Sequence, residues 1–417
     1  MRIVNDSTTV NEQFLQALEH ATAAASNRRP CPQFPDETWI QMGVQRVIEA
    51  TESGRAFLQE HGLRFDHPPS SHNYFASLKS PRRRDLAREV NEHLIARVEA
   101  KGCDRLANIP ELERYACFAA DGHWHKAAVH DPRHEGRKMA VGHFYALNLR
   151  THTLRHLAAG QGLHEHDMSA LKRLKPRGLR QGVAQGTRVL MIYDKAGIDF
   201  DYWNRCRRER AVYFLSRVKK NLVFEWIEER PWDPSDARNR GVLVDCKVRS
   251  PEGHVLRLIM YQDGVSGEVY EFLTNEMDLP PGVVAELYRR RWEAEKVFDE
   301  IKNKLGQKKA WGTSLVAKEA QALLIAITHN LLLSYEQDLE RRFEVTNTAE
   351  DQRRHQRIQS AKREGARMEW PVSSLVVQAR RATQRSVKFI RWLRHALREK
   401  LTEAVAVLHL KQLYATL

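Results

Sequence analysis

The sequence predicts a mixed α/β fold flanked by helical regions, and three observations support this prediction. Residues 11–100 carry apolar residues at helical spacing, interrupted by Pro-rich breaks. From Tyr115 the pattern changes to short runs of β-branched and aromatic residues, which is typical of buried strands. From about Pro281 the helical spacing returns and continues through most of the remaining chain. A length of 417 residues is enough for roughly two to three domain-sized units.

The chain is basic, with 67 Lys and Arg residues against 53 Asp and Glu residues and a net charge of +14. This balance favours a polyanionic partner, nucleic acid before an anionic membrane. No stretch approaches the roughly 20 apolar residues of a membrane span, and residues 1–6 lack the apolar core of a signal peptide. The five scattered cysteines form no C-x-x-C pair, which argues against a disulfide framework or a cysteine zinc site. We therefore expect a soluble, cytoplasmic protein that does not enter a membrane.

The N-terminal region, residues 1–112, is predicted to be helical and to bind DNA. Three consecutive arginines, Arg82 to Arg84, follow Ser80-Pro81 at the start of one predicted helix. They either face DNA or belong to a solvated helix start, and the pattern favours neither. The predicted helical runs are Gln13–Ala24, Trp39–Glu60 and Arg84–Val98, with Pro-rich breaks at Pro30–Pro35 and at residues 66–71.

Two predicted strands of the α/β core each lead into an acidic residue. Tyr115–Ala120 ends on Asp121, and Thr187–Tyr193 ends on Asp194. Because functional groups gather beyond the carboxyl ends of strands in an open α/β sheet, both aspartates are candidates for a site there. Further strands are predicted at Met139–Leu149, Thr153–Ala158 and Ala211–Arg217, with a basic helical stretch near Met168–Leu174.

The core is predicted to occupy residues 113–220 and 276–345, separated by a β-rich stretch at 221–275. A basic helical region at 346–417 is predicted to follow. The candidate strands of the β-rich stretch are Leu222–Trp226, Val242–Val248, Val255–Tyr261 and Val269–Leu273.

A third acid is predicted on the helix that begins near Pro281. On an ideal helix Tyr288, Arg291, Glu295 and Lys302 fall within a stripe about 60° wide. The apolar residues of the same helix lie on a neighbouring face, so the stripe follows the border of the buried surface. A half-sheltered position of this kind suits a metal-ligating carboxylate with cationic neighbours.

Three carboxylates brought together on rigid elements can hold two Mg²⁺ ions and support chemistry at a phosphodiester. Asp121, Asp194 and Glu295 are therefore the candidate catalytic and metal-ligating residues. Asp199 and Asp201 are alternatives to Asp194. Asp299 is an alternative to Glu295 because it lies on the same side of the helix. Arg291 and Glu295 also have the i,i+4 spacing of an ordinary surface ion pair, which is the alternative to a metal-ligating role for Glu295.

The spacing Tyr288-x-x-Arg291-x-x-x-Glu295-x-x-x-x-x-x-Lys302 resembles the Tyr/Arg/Glu/Lys signature of the insertion-sequence-four family of DDE transposases. The residues around it resemble the family as well: Phe272-Leu273-Thr274-Asn275 before the helix, Trp292 after Arg291, and Phe298. Asp121-Gly122 resembles the first-aspartate block of the family, and Tyr193-Asp194-Lys195 resembles the second. The segment Lys195-Ala196-Gly197-Ile198 departs from the family, which often places Gly and an aromatic close after the second aspartate.

The resemblance implies an RNase H-like core of the retroviral-integrase superfamily, with a β-rich insertion between the second aspartate and the glutamate. It implies that Asp121, Asp194 and Glu295 bind two Mg²⁺ or Mn²⁺ ions, and that Tyr288, Arg291 and Lys302 contact phosphates of the transposon end. The implied function is cut-and-paste transposition on double-stranded DNA, both terminal inverted repeats and target, by a homodimer or larger assembly in the bacterial cytoplasm at the nucleoid. The alternatives are a nuclease of the same fold without strand transfer and an inactive, transposase-derived DNA-binding protein.

Three further groups are secondary candidates. His123 and His125 would share a face with Asp121 if its strand continued, although packing is the more common role of such histidines. Arg391, Arg394 and Arg398 form a helical stripe that either lies along DNA or is solvated. Trp226 and Trp232 either stack on unpaired bases or, as the favoured interpretation, pack in the core.

Overall fold

The computed structural model describes residues 7–51, 53–62, 69–133, 136, 140–160, 165, 167–219, 222–264, 267–345, 356, 359–360, 363 and 383–415. Most of the segment 346–382, within the predicted basic C-terminal region, lies outside the described residues, as do residues 66–68 of one predicted Pro-rich break.

The described residues of the N-terminal region form five helices. They are α1 (Val10–Ala24), α2 (Asp36–Glu49), α3 (Gly54–Gly62), α4 (Ser71–Ser77) and α5 (Pro81–Glu99). Side chains at the N-caps help to position α1, α4 and α5: Thr9 accepts from the backbone N–H of Glu12, Ser70 from that of Asn73, and Ser80 from that of Arg83. The single helix predicted over Trp39–Glu60 is divided into α2 and α3, because Ala50 adopts a left-handed conformation with φ of 59° and ends α2.

Within the ranges given above, nine strands form one sheet in the order β3-β2-β1-β4-β5-β9-β8-β7-β6. Strand β1 pairs with β4 in parallel and β4 with β5 in parallel, whereas β1, β2 and β3 are antiparallel neighbours. The strands are β1 (Tyr115–His125), β2 (Val141–Asn148), β3 (Leu154–Ala159), β4 (Arg188–Ile192), β5 (Val212–Arg217), β6 (Glu225–Glu229), β7 (Val242–Arg249), β8 (Val255–Gln262) and β9 (Val269–Thr274).

Strand β1 is longer than predicted and contains Asp121. The predicted strand stops before this residue, but Asp121 pairs with Tyr145 of β2 and the pairing continues to His125 and Val141. The placement of Asp121 just past the strand end was therefore wrong: pairing with β2 extends β1 through the Asp-Gly step. Asp194 does follow the end of β4, as predicted.

The β-rich stretch predicted at 221–275 forms β6 to β9, and these strands extend the sheet of the core. The connection is antiparallel pairing of β5 with β9, in which Leu215 lies opposite Thr274. The first of these strands begins later than predicted, at Glu225 instead of Leu222.

Helices cover both faces of the sheet. On one face lie α6 (Asp167–Lys172), α7 (Pro176–Leu179) and α8 (Phe200–Arg210), whose apolar side chains share a core with Phe118 and Val189. On the other face, Cys117 and Leu190 share a core with the N-terminal helices and with the helices that follow β9.

The long helix predicted from Pro281 is interrupted twice. Helix α9 (Pro281–Arg290) ends at Arg291, α10 (Trp292–Asp299) follows, and a π-helical turn occupies Glu300–Lys304. Helix α11 (Leu315–Phe343) follows, and every residue from Ala320 to Leu332 is buried.

Two C-terminal helices, α12 (Thr383–Arg398) and α13 (Glu403–Ala415), pack against the N-terminal region. The backbone N–H of Val10 donates to Leu401, and Trp392 stacks on Tyr335 of α11 with ring centroids 6.3 Å apart. Among the described residues, no helix combines the length and apolar character needed to span a bilayer.

Candidate active site

One guanidinium joins the first and third of the predicted acids. Arg291, between α9 and α10, donates from Nη1 to Oδ2 of Asp121 at 3.0 Å and from Nη2 to Oε1 of Glu295 at 2.7 Å. The Arg291 side chain is 8% exposed, so this contact is sheltered from water. Asp121 reaches it from the face of β1 that packs against α10.

Asp194 follows β4, the parallel neighbour of β1, and is fixed by its own turn. Its carboxylate accepts from the backbone N–H of Ala196 at 2.8 Å, and its carbonyl accepts from the hydroxyl of Ser216 at 2.7 Å. The two aspartates therefore lie on adjacent strands at the same edge of the parallel part of the sheet.

The alternative acids have other partners. Asp199 caps α8 by accepting from the backbone N–H of Tyr202 at 2.9 Å and pairs with Lys172. Asp201 is 85% exposed and pairs with His254. Asp299 accepts from the side chain of Asn303 at 2.6 Å, one turn beyond Glu295.

The carboxyl group of Asp121 is sensitive to both other acids. Burial raises its pKa to about 6, the positive charge of Arg291 and a hydrogen bond from the Gly122 N–H oppose the rise, and the negative charges of Asp194 and Glu295 add to it. The geometry agrees with this: Asp194 follows the strand next to that of Asp121, and Glu295 shares the Arg291 guanidinium with Asp121.

The chemistry of these donors suits Mg²⁺ or Mn²⁺, since both ions prefer carboxylate oxygens and would relieve the repulsion at Asp121. Their present arrangement is not that of a closed metal site. In the described part of the chain, no three His, Cys, Asp or Glu side chains converge closely enough to hold an ion. Arg291 lies between Asp121 and Glu295 and binds one oxygen of each carboxylate.

Tyr288 and Lys302, the other predicted DNA contacts, differ in exposure. Tyr288 is buried, with its ring 4.9 Å from that of Phe272 and the Arg291 guanidinium 5.7 Å from its centroid; burial raises its pKa. Lys302 is exposed on the π-helical turn, which shifts it away from the position on an ideal helix. It lines a cavity of about 370 Å³ beside Asp121, together with Gly122, His123, Trp124, Phe298, Asp299 and Asn303.

Because β1 continues, His123 and His125 do share the face of Asp121. They begin a row of buried imidazoles, with ring centroids 4.8 Å apart from His123 to His125, 5.0 Å on to His143 and 5.4 Å on to His156. Burial lowers the pKa of His125 and His143, so these rings are neutral packing groups. No local sequence pattern points to His143 or His156. Cross-strand pairing places His143 opposite His123, and Nδ1 of His143 lies 3.3 Å from Nε2 of His156.

The arginines at the start of α5 are engaged within the protein. Arg82 and Arg83 pair with Asp36, and Arg84 pairs with Asp85 and Glu319.

Two of the secondary candidates also differ from expectation. Arg394 donates to the carbonyls of Ile48 and Lys304, whereas Arg391 and Arg398 are exposed. Trp226 is 54% exposed on β6, so the expected core packing was wrong for it, and Trp232 is half-buried.

Comparison with known proteins identifies the family. Residues 114–331, more than half of the chain, match the family described as the transposase DDE domain. The chain therefore belongs to this family.

One protein is similar to about a third of the chain, and one solved structure aligns with nearly all of it. A protein of Sinorhizobium fredii named "Putative transposase y4zB" is 26% identical over 148 residues, which are 34% of this chain and 41% of that protein. This chain thus matches less than half the length of that relative. A cryo-EM structure of the piggyBac transposase synaptic complex with hairpin DNA is 12% identical, covers 96% of this chain and 82% of that chain, and has a TM-score of 0.35.

Proposed function

We propose that this protein is a DNA transposase of the insertion-sequence-four family that cleaves element ends and joins them to target DNA. The observation that carries the proposal is that Arg291 binds both Asp121 and Glu295 beside the end of the adjacent strand β4, which Asp194 follows, within a matched transposase DDE domain. These three are the proposed catalytic and metal-ligating residues.

The proposed core is RNase H-like. In support, β1 to β5 combine three antiparallel strands with two parallel ones, and the two aspartates follow or lie in the adjacent strands β1 and β4. Strands β6 to β9 occupy the chain between Asp194 and Glu295, where the family resemblance implies an insertion. The helices α1 to α5 and the basic C-terminal helices are proposed to add DNA contacts.

Asp121, Asp194 and Glu295 would hold two Mg²⁺ or Mn²⁺ ions, which when bound supply activation of the attacking oxygen and stabilisation of the leaving oxygen. Water attacks the phosphodiester at the element's end, and the P–O bond to the 3′ oxygen breaks. The freed 3′-hydroxyl then attacks a target phosphodiester in line, with departure of the target's 3′ oxygen. The chain's own part is to position the phosphates and neutralise their charge.

Lys302 and Arg291 are proposed to bind phosphates of the element end. Lys302 is exposed and lines the same cavity as Gly122, the residue after Asp121. A guanidinium such as that of Arg291 can bind a phosphate through two parallel hydrogen bonds. Tyr288, packed on Phe272 and beside Arg291, is proposed to support this contact. Because two ends must be joined in one event, we propose a homodimer or larger assembly that acts on paired ends in the bacterial cytoplasm.

The experiment that tests this function supplies the purified protein with duplexes carrying the sequences that flank its gene, a plasmid target, and either Mg²⁺ or EDTA. A transposase yields metal-dependent cleavage at the ends and joined end–target products. Cleavage without joined products would indicate a nuclease without strand transfer. Specific binding without cleavage in either condition would indicate an inactive DNA-binding descendant.

A further inference from the structure

A compact group of cations lies on the face of the sheet opposite α10. Its members belong to α7, to the residue just before α7, and to α8. We call this group the α7–α8 basic surface. Every one of its members is exposed. The surface consists of Lys175, Arg177, Arg205, Arg207, Arg208 and Arg210.

Ion pairing within the protein does not account for these charges. Among the described residues, none of the six side chains takes part in a salt bridge, whereas the preceding Lys172 and Arg173 pair with Asp199 and Glu165. Between Tyr202 and Arg210 the only acid is Glu209. The surface therefore combines a high density of positive charge with little internal compensation.

Packing holds the two elements of this surface together. Arg180 donates from Nη1 to the carbonyl of Arg210 at 2.9 Å, and the hydroxyl of Tyr202 donates to the carbonyls of Leu171 at 3.1 Å and Leu174 at 3.3 Å. Trp203 and Cys206 anchor α8 in the core below. Like charges that a rigid scaffold keeps close repel one another, and a polyanion relieves that repulsion.

The α7–α8 basic surface is separate from the candidate active site. Helix α8 begins at Phe200, six residues after Asp194, and its 11 residues extend about 16 Å. Its last turn is followed directly by the start of β5, so Arg207 to Arg210 lie at the sheet edge opposite to Asp194. DNA bound here is not the phosphodiester that reacts at the acids.

We infer that the α7–α8 basic surface binds the phosphate backbone of a duplex DNA segment away from the cleaved end. The inference rests on the proposed function for its choice of duplex DNA as the polyanion. Arg205 and Arg208, one turn apart on the outward face of α8, are the central contacts. Contacts of this kind recognise charge, so the binding does not depend on base sequence.

The test measures binding of the full-length protein to a 30-base-pair duplex across a salt series. The Arg205→Gln, Arg208→Gln double variant is compared with the Arg205→Lys, Arg208→Lys double variant as the charge-preserving control. We expect the Gln variant to lose affinity on the order of tenfold, and the slope of log affinity against log salt to fall by about two, since each lost phosphate contact contributes roughly 0.9. The Lys variant should keep most of both.

Unchanged affinity and slope in the Gln variant would overturn the inference, as would an equal loss in both variants. Preference for RNA or for an acidic protein over duplex DNA would also overturn it. Salt-sensitive duplex binding that depends on these arginines, in a wild-type protein that cleaves nothing, would support the surface while contradicting the proposed function.

A second inference concerns Arg291 and rests on different observations. Both of its Nη groups bind candidate metal ligands, and its Nε is buried without a hydrogen-bond partner. The helix is also irregular there: the Arg291 N–H donates to the carbonyl of Tyr288, three residues back, at 3.1 Å. A tight turn within a helix often marks a hinge at a functional site.

We propose that Arg291 is an internal counter-cation that keeps divalent metal out of the acid site until DNA phosphate draws it away. This inference rests on the proposed function. It predicts reciprocal coupling, in which duplex DNA tightens metal binding and metal tightens DNA binding.

Titration of the full-length protein with Mn²⁺ alone, followed by electron paramagnetic resonance of free Mn²⁺, tests this without any cleavage readout. The Arg291→Gln variant should bind Mn²⁺ about tenfold more tightly than wild type in the absence of DNA, a typical coupling magnitude. The Arg289→Gln variant, which loses a pair with Glu286 on the same helix, should match wild type. Added end duplex should tighten Mn²⁺ binding for wild type and much less for Arg291→Gln.

Equal or weaker Mn²⁺ binding by Arg291→Gln in the absence of DNA would overturn the counter-cation role. Failure of both proteins to bind Mn²⁺, with or without DNA, would instead contradict the proposed metal-dependent function on which that role rests.

Discussion

Buried Asp36 and half-buried Asp121 both pair with arginine, and their surroundings differ. Asp36, at the start of α2, accepts from Arg82 at 2.7 and 2.8 Å, from Arg83 at 3.2 Å and from the backbone N–H of Arg29 at 3.1 Å. Asp121 accepts from a single guanidinium, that of Arg291, which it shares with Glu295. Asp36 thus has two counter-cations, whereas Asp121 shares its single counter-cation with a second carboxylate.

The pKa values of the two carboxyl groups move in opposite directions. Burial raises the pKa of Asp36, but the hydrogen bond and charge of Arg82, the N–H of Arg29 and the charge of Arg83 outweigh it and leave the pKa lowered. Burial raises the pKa of Asp121 to about 6, and nearby acids add to the rise. The charge of Asp36 is therefore fully balanced, which suits a structural role, whereas Asp121 is only partly compensated by the shared Arg291, as expected where a cation or substrate must bind.

The largest expected effect is on Asp36. Asp36→Asn leaves the buried Arg83 and the half-buried Arg82 short of a partner, so we expect the free energy of unfolding to fall by about 3–5 kcal/mol, the usual cost of breaking a buried pair. Urea denaturation followed by circular dichroism measures this. Glu37→Gln, which removes a partly exposed pair with Arg28, is the matched control and should cost no more than about 1 kcal/mol. Equal losses of unfolding free energy in the two variants would contradict the structural role of Asp36.

A smaller effect of opposite sign is expected at Asp121. A folded pKa of about 6 lies above the unfolded value of about 3.9, so the folded state binds more protons and stability falls as pH rises from about 4 to 6. Asp121→Asn removes this penalty and should raise stability above pH 6 by about 1–3 kcal/mol in EDTA. Urea denaturation at pH 4.5 and 7.5 measures it. A destabilised Asp121→Asn protein at pH 7.5 would show that Asp121 is a structural residue like Asp36.

The smallest effect is the acid titration of Asp36. Since its folded pKa is depressed, its contribution to stability is present above the ordinary aspartate pKa and is lost as pH falls below about 4 through the folded pKa. We expect a loss on the order of 1 kcal/mol in wild type between pH 4 and pH 3 that is absent from Asp36→Asn. Thermal denaturation across this range checks it, and parallel curves for the two proteins would contradict the lowered pKa.

Much of the fold follows from local sequence pattern. The runs Thr187–Tyr193 and Val255–Tyr261 form β4 and β8 within one residue of their predicted ends, because continuous β-branched and aromatic residues suit strands buried on both faces. The continuation of β1 through Asp121-Gly122 was not predictable in this way. It depends on pairing with β2, about 20 residues later, which overrides the turn preference of Asp-Gly.

Local sequence pattern also does not predict which arginines are paired within the protein and which stay exposed. Arg82 and Arg83 form a basic run in sequence, yet they are neutralised by Asp36, which lies 46 and 47 residues away. Arg205 to Arg210 form a similar run and keep their charge exposed. For the site, helical spacing placed Arg291 and Glu295 together correctly, but the bond from Arg291 to Asp121 spans 170 residues and depends on tertiary packing.

Asp121, Asp194 and Glu295 are proposed to form a metal-dependent catalytic site. The most direct test measures cleavage of element ends in Mg²⁺ by Glu295→Gln, with Asp299→Asn as the matched variant. We expect Glu295→Gln to bind end DNA as wild type does but to lose cleavage by at least about two orders of magnitude, whereas Asp299→Asn should retain cleavage. Cleavage that survives in Glu295→Gln and disappears in Asp299→Asn would contradict the assignment and make Asp299 the third acid.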